Sequence, residues 1–137
     1  MESETLRSAG LLLVLLPTVA FGGVSILYLW VGHSGSYMKN GLRSRMWAAG
    51  HAHAGVFLVL SLVALSYVDQ TTLSDGMKTL VRNLIPSAAI FVPAGFFLST
   101  VAPNVQKPNA LIYLAYVGFV TLTVGLLILG YGLLDAA

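Results

Sequence analysis

Four long stretches of hydrophobic residues run along this chain and are separated by short polar segments. They cover residues 11–31, 47–68, 84–102 and 110–134. A stretch of about 20 apolar residues is long enough to cross the hydrocarbon core of a bilayer as a helix. The pattern therefore predicts an all-α, integral membrane four-helix bundle, organised as a single four-span domain over residues 1–137.

The first hydrophobic stretch lies close to residue 1 and has to be distinguished from a signal peptide. The residues in front of it begin Met1-Glu2-Ser3-Glu4, which is not the basic segment that opens a signal peptide. The stretch is also longer than the apolar region of a signal peptide, which has roughly 7–15 residues. We therefore interpret it as the first membrane span.

The composition supports a membrane protein and excludes several other classes. Hydrophobic residues make up 57% of the chain and charged residues 9%, whereas an average soluble domain has about 25% charged residues. Such a chain cannot cover the surface of a soluble globule with polar groups. Its seven basic residues are scattered and form no basic run, so we expect no nucleic-acid partner. The absence of cysteine excludes disulfides and thiolate chemistry.

The charges at the two ends of the predicted bundle bear on its orientation. The loops after the first and third spans contain Lys39, Arg43, Arg45 and Lys107. The side of the two termini contains Arg7, Lys78 and Arg82, together with all five acidic residues. Under the positive-inside rule this small difference in basic residues favours both termini outside the cell.

The three histidines are the most concentrated chemistry of the chain. His33 follows the first span, and His51 and His53 lie at the start of the second. Because the first two spans are antiparallel neighbours joined by one loop, all three histidines lie near one face of the membrane. Ionisable groups inside a membrane are costly and are candidates for functional sites. We interpret His33 as a loop residue in water and the other two as site candidates.

His51 and His53 are two residues apart, so their side chains point about 200° apart around a helix. One straight helix cannot present both to the same metal ion. This spacing disfavours a zinc site, which uses histidines four residues apart, and is compatible with one axial ligand to a haem. Six small residues surround both histidines and allow a helix backbone or a porphyrin to approach closely: Ala48, Ala49, Gly50, Ala52, Ala54 and Gly55. Ordinary helix packing, with the histidines bonded to carbonyls or water, is the alternative.

This order of features resembles the styrene oxide isomerases, a family of small four-span membrane enzymes. In that family a tryptophan precedes a histidine at the start of the second span, within a Trp-Ala-Arg-Ala-His-Ser-Gly pattern. The matching stretch here is Trp47-Ala48-Ala49-Gly50-His51-Ala52-His53-Ala54-Gly55. The similarity continues as a coarse pattern through Asp75 and Gly95-Phe96-Phe97 to Pro103-Asn104, and so covers most of the chain.

The resemblance implies a homotrimer in a bacterial cell membrane that binds haem b between subunits through one axial histidine. It also implies that ferric iron acts as a Lewis acid and isomerises an epoxide to a carbonyl compound. Two alignments of the iron ligand compete. The spacing from Trp47 onward selects His51, our first choice, whereas the local Ala-His-small-Gly match selects His53. Gly50 and Gly55 would then lie against the cofactor.

Two positions that the family fills with polar residues are aromatic in this chain. With His51 as the ligand, the family's asparagine corresponds to Phe57 and its tyrosine to Phe97. We therefore expect Phe57 and Phe97 to line a pocket for a small apolar ligand or epoxide, and epoxide isomerisation to be weak or absent. Two further functions stay open: a non-enzymatic haem protein for redox, sensing or gas binding, and a cofactor-free accessory membrane subunit.

Overall fold

The computed structural model describes residues 1–32 and 37–137, and within them four long helices are joined by short connections. The helices are α1 (Ser3–Val31), α2 (Gly41–Val68), α3 (Asp75–Ser99) and α4 (Tyr113–Asp135), with a short 3₁₀ helix (Ala110–Ile112) leading into α4. Each of the four is long and apolar enough to cross a bilayer. The predicted all-α four-helix bundle is confirmed, and its candidate spans indicate a multi-pass integral membrane protein.

Helices α1, α2 and α3 begin before the hydrophobic stretches that predicted them, and polar caps explain two of these starts. The side-chain oxygen of Asn40 accepts hydrogen bonds from the backbone N–H groups of Leu42 and Arg43, both at 3.1 Å. Ser74 caps the start of α3 in a similar way. Such N-caps satisfy backbone donors that have no partner within the helix. The helices therefore continue out of the apolar region into its polar edge.

Helix α3 ends at Ser99, before the predicted end of the third span at residue 102. The carbonyl groups of Thr100 and Ala102 accept hydrogen bonds from the guanidinium of Arg43 instead of continuing the helix. Pro103 follows directly, and a proline disfavours the helical conformation in the residue before it. The end of the span is thus formed by an irregular segment that is held by a side chain of α2.

The two central helices of the bundle are α2 and α3. Helix α3 packs along both α2 and α4, helix α1 packs on α2, and α2 and α4 touch only over a short stretch. The most deeply buried apolar residues of α3 are Val81, Ile85, Ala88 and Val92. In contrast, only 6% of the most apolar segment of α1 is buried, against 39% for α3. The remaining apolar surface of α1 therefore faces outward, where lipid contact suits it.

Glycines allow α3 and α4 to approach closely. A Cβ atom at Gly95 would lie 2.5 Å from the backbone nitrogen of Ala115. A Cβ atom at Gly118 would lie 2.6 Å from Cγ2 and 2.9 Å from the backbone nitrogen of Val92. Neither position can accept a side chain unless the two helices move apart. Close approach at small residues is a common way for membrane helices to pack.

We expect Gly118→Ala to destabilise the bundle by about 1–3 kcal/mol, the usual range for overpacking. The added methyl group would meet both the side chain and the backbone of Val92. Gly130→Ala in the same helix is the matched control, because nothing lies within 4 Å of a Cβ atom at that position. Unfolding of both variants can be followed by circular dichroism as a denaturing detergent is added to mild micelles. Equal stability of the two variants would contradict this account of the α3–α4 contact.

Candidate functional site

The N-terminal half of α2 presents His51 and His53 in nearly opposite directions. His51 lies against α1, whereas His53 packs with aromatic side chains of α2, α3 and α4. Both side chains are half-buried. This is the arrangement expected for two residues that are two positions apart on a helix. The two imidazoles therefore cannot act together on one ligand within a single copy of the chain.

His51 lies on the backbone of α1 at the paired glycines Gly22 and Gly23. A Cβ atom at Gly23 would come within 2.8 Å of Nε2 and 2.9 Å of Cε1 of the His51 ring. A pocket of about 210 Å³ beside the ring is lined by Gly23, Ile26, Leu27, Trp30, Ala48 and His51. Among the described residues, His53 is the histidine that forms a hydrogen bond, and His51 forms none.

His53 is held by one hydrogen bond and three aromatic rings. Its Nδ1 lies 2.7 Å from the carbonyl oxygen of Ala49, one turn earlier in α2. Because a carbonyl oxygen only accepts hydrogen bonds, the ring donates from Nδ1, and Nε2 is the nitrogen left to contact a ligand. The ring stacks on Phe96, with centroids 5.3 Å apart and planes 28° apart. It also makes edge contacts with Phe57 at 5.3 Å and Phe119 at 5.8 Å.

A groove of about 290 Å³ lies beside His53 on the outside of α2 and α4. This surface, the His53 groove, is lined by Ala52, His53, Val56, Phe57 and Phe119. Val56 also borders a second, apolar hollow of about 460 Å³ that runs further along α2. His53 is the polar residue among the described side chains that line the groove. Such a surface can hold a flat apolar molecule and offers it one nitrogen ligand.

The two phenylalanines predicted to line a pocket are separated in the structure. Phe57 is buried next to His53 and lines the His53 groove. Phe97 packs edge-on against Trp47, with ring centroids 5.6 Å apart. Gly50 makes room for it, because a Cβ atom at Gly50 would lie 3.2 Å from Cζ of Phe97. Phe97 and Gly50 therefore belong to the contact between α2 and α3 and not to the His53 groove.

The remaining predicted residues are Gly55 and His33. A Cβ atom at Gly55 would lie 3.8 Å from Cγ1 of Val19 in α1, which is an ordinary contact. Gly55 also lines the apolar hollow next to the His53 groove. His33, predicted to be a loop residue, lies outside the described residues. Of the predicted site residues, His53 and Phe57 thus line the His53 groove, whereas Gly55 lies towards α1, as His51 does.

A partly buried cluster of charges joins α1, α2 and α3 at the end of the bundle that carries the termini. Arg82 donates from Nε to Oγ1 of Thr5 at 2.9 Å and from Nη2 to Oδ1 of Asp69 at 3.0 Å. Its guanidinium also pairs with Glu2 and Glu4. Asp69 accepts further hydrogen bonds from the Thr5 hydroxyl at 2.7 Å and the Glu2 amide at 2.6 Å. This Arg82 cluster holds the first turn of α1 against the other two helices.

The Arg82 cluster lowers the pKa of two carboxyl groups that lie outside the membrane spans. A hydrogen bond from Lys78, and then one from Arg82, hold the pKa of Glu2 below its ordinary value. Partial burial acts to raise the pKa of Asp69, but the hydrogen bonds that this carboxylate accepts outweigh burial and lower its pKa. Both groups therefore favour the ionised form in the folded protein and balance the charge of Arg82.

A second buried arginine, Arg43, lies at the opposite end of the bundle. Its side chain is fully buried, and its Nε donates to the carbonyl oxygen of Thr100 at 3.1 Å. The two Nη atoms donate to the carbonyl oxygens of Tyr37 and Ala102. The guanidinium also lies 3.9 Å from the centre of the Tyr37 ring. Arg43 thus closes the C-terminal end of α3, where a positive charge is favourable against the helix dipole.

From the sequence alone, Arg43 and Arg82 are assigned to the polar ends of the bundle and are not recognised as buried groups. A signal existed for Arg82, because three acidic residues, Glu2, Glu4 and Asp69, belong to the same end. No comparable signal existed for Arg43. Its hydrogen-bond partners are backbone carbonyl groups, which every sequence contains.

Within the described residues, no group of three or more histidine, aspartate or glutamate side chains could hold a metal ion together. The candidate site is therefore a single imidazole in an apolar groove. In comparisons with known proteins, no family model, no curated protein and no solved structure matches this chain.

Proposed function

We propose that this membrane protein binds haem b and that His53 is its axial ligand. The observation that carries this proposal is the hydrogen bond from Nδ1 of His53 to the carbonyl oxygen of Ala49. Metal-ligating histidines almost always donate their other ring N–H to a carbonyl, a carboxylate or water, which fixes the tautomer and orients the ring. His51 has no such bond among the described residues and lies against Gly23. We therefore prefer the second of the two alignments.

The lining of the His53 groove fits a flat apolar cofactor. Its described side chains other than His53 are Ala52, Val56, Phe57 and Phe119, none of which carries a charge. The groove lies on the outside of the bundle, so one face of a porphyrin bound there would be uncovered by this chain. A second copy of the chain could cover that face. We therefore propose a homo-oligomer as well, and the resemblance implies a trimer.

The lining also bears on which chemistry the site would support. Ferric haem, when bound, supplies either a Lewis-acidic iron that can polarise an epoxide oxygen or a redox and gas-binding centre. Phe57 and Phe119 would exclude water from the groove, but neither can donate or accept a hydrogen bond to orient an epoxide. Phe97 lies elsewhere, against Trp47. These features favour slow or absent epoxide isomerisation and make a non-enzymatic haem function the second candidate.

The proposal can be tested by absorbance spectroscopy of the purified protein in a mild detergent during titration with ferric haem. We expect a Soret band that is shifted from that of free haem and saturates at a fixed ratio of haem to protein. Micelles without protein are the control, because haem also partitions into detergent. A folded helical protein whose titration matches the empty micelles would contradict haem binding and would favour a cofactor-free accessory subunit.

A further inference from the structure

We infer that a groove between α1 and α2 binds an anionic phospholipid at the end of the bundle that carries Lys39. This α1–α2 groove is separate from the His53 groove, and the inference does not depend on haem. Its outer part, about 490 Å³, is lined by Trp30, Met38, Lys39 and Ser44. Its inner part is the pocket beside His51, which also includes Trp30. Because Trp30 lines both parts, they adjoin at its indole.

The spacing of residues along both helices produces the groove. Gly23 and Trp30 are seven residues apart on α1, and Ser44, Ala48 and His51 follow each other at four and three residues on α2. Residues at these intervals lie on one face of a helix. From Ser44 to His51 the helix rises about 10 Å, so the groove leads from the interface into the hydrocarbon region. The pocket beside the His51 ring, where the side chain of Ala48 is small, leaves space for an acyl chain.

The outer part of the groove carries polar groups that have no protein partner among the described residues. All ion pairs among the described residues lie at the other end of the bundle, in and beside the Arg82 cluster, and Lys39 takes part in none. Within the same described residues, the Ser44 hydroxyl is not hydrogen-bonded, although its backbone N–H bonds to Asn40. Trp30 is 50% exposed, and tryptophan is typical of the membrane–water interface. A lipid headgroup would supply acceptors for Lys39 and Ser44.

The distribution of charge favours an anionic headgroup over a zwitterionic one. Lys39, Arg43, Arg45 and Lys107 all belong to this end of the bundle, whereas all five acidic residues belong to the end with the termini. No carboxylate of this end therefore competes with a lipid phosphate for Lys39. Basic residues beside a span are attracted to the anionic cytoplasmic leaflet. A lipid of that leaflet would agree with the orientation expected from the sequence, with both termini outside.

The experiment uses quenching of Trp30 fluorescence by lipids with brominated acyl chains. The chain has two tryptophans, so Trp47→Phe leaves Trp30 as the single reporter. This variant is placed in bilayers of phosphatidylcholine and phosphatidylglycerol at a fixed ratio, with one or the other lipid brominated. We expect brominated phosphatidylglycerol to quench Trp30 more strongly than the same fraction of brominated phosphatidylcholine. Equal quenching by the two lipids would overturn the inference.

Two variants that each remove one positive charge distinguish a specific lipid site from general electrostatic attraction to an anionic bilayer. Adding Lys39→Gln should lower the preference for phosphatidylglycerol about fivefold, the effect of one basic residue near an anionic surface. Lys107→Gln removes the same charge at the same end of the bundle but outside the groove, and should keep the preference. An equal loss of the preference for phosphatidylglycerol in both variants would overturn the inference of a specific site.

A second measurement avoids Trp47→Phe, in case that change disturbs the packing of Trp47 on Phe97. Native mass spectrometry can count phosphatidylglycerol molecules that stay bound to the otherwise unaltered chain after extraction. Fewer retained lipids with Lys39→Gln than with Lys107→Gln would support the site. Equal retention would overturn it.

Discussion

His53→Ala is expected to abolish the haem Soret band, or to weaken haem binding by at least about 100-fold. Loss of a group that merely orients a metal ligand already costs about 10–100-fold in affinity, and this change removes the proposed ligand itself. The neighbouring rings of Phe57, Phe96 and Phe119 offer no nitrogen in its place. Haem titration of the purified variant, with circular dichroism to verify that it is folded, measures the effect.

His51→Ala and His33→Ala are the matched controls, and both are expected to keep the band. Free imidazole added to His53→Ala should restore part of it, because the small molecule can enter the space left by the side chain. Loss of haem in His51→Ala alone would show that the alignment by spacing from Trp47 was the right one. Retention of the band in all three variants would reject ligation by a histidine.

Arg82→Met is expected to destabilise the bundle by about 3–5 kcal/mol, the usual cost of removing one partner of a buried ion pair. The change leaves Asp69, whose side chain is 13% exposed, without its cation. It also removes a hydrogen bond to the fully buried Thr5. The ion pairs of Arg82 with Glu2 and Glu4 are more exposed and add little to the loss of stability, because exposed ion pairs are worth about 0–1 kcal/mol. Unfolding in mixed micelles, followed by circular dichroism, measures the loss.

Arg7→Met removes a cation from the same end of the bundle at an exposed position, and we expect a change within about 0.5 kcal/mol. The double change Arg82→Met with Asp69→Asn should cost less than the sum of the single changes, because contacting residues are coupled. If Arg82→Met is as stable as Arg7→Met, the Arg82 cluster does not hold the bundle together.

The same cluster predicts how stability responds to pH. The folded-state pKa values of Glu2 and Asp69 are lowered, so the unfolded chain binds protons at higher pH than the folded one does. Their contribution is complete above the ordinary carboxyl pKa of about 4 and is lost as the pH falls through the lowered values. We expect this loss of stability at acid pH in the unaltered protein and a smaller loss in Arg82→Met, because one partner that both carboxylates share is then missing.

The helices illustrate what could be predicted from the pattern of hydrophobic residues. The first two predicted spans end at residues 31 and 68, where α1 and α2 also end. Apolar runs of this length leave a helix as the main solution in a bilayer, because every backbone polar group must be bonded within the segment. The helix starts were less predictable, since caps such as Asn40 extend α2 into polar sequence. The end of α3 depends on Arg43, a residue of another helix.

At the candidate site, the properties that the sequence predicts are clearly distinct from those that depend on the tertiary structure. The two-residue spacing of His51 and His53 determined that they point apart, because the α-helix has a fixed rotation per residue. The neighbours that each histidine meets depend on how α1, α3 and α4 are arranged around α2. That arrangement places His51 on Gly23 and His53 among Phe57, Phe96 and Phe119. This arrangement supports our proposal of His53 as the ligand, and it separates Phe97 from the groove.

By itself, the sequence determined that this protein is a bundle of four helices long and apolar enough to span a membrane, that its carboxylates lie at one end, and that His51 and His53 lie in the same half of the second helix. These properties follow from the composition, the order of the residues and the periodicity of the helix. Each of them can be derived from the sequence without knowledge of the tertiary contacts. Only the tertiary structure decided that Arg43 and Arg82 are buried and which histidine meets an aromatic groove. The physical reason is that these properties depend on contacts between residues far apart in sequence. Arg82 meets Thr5 and Arg43 meets Thr100 only after the helices have packed.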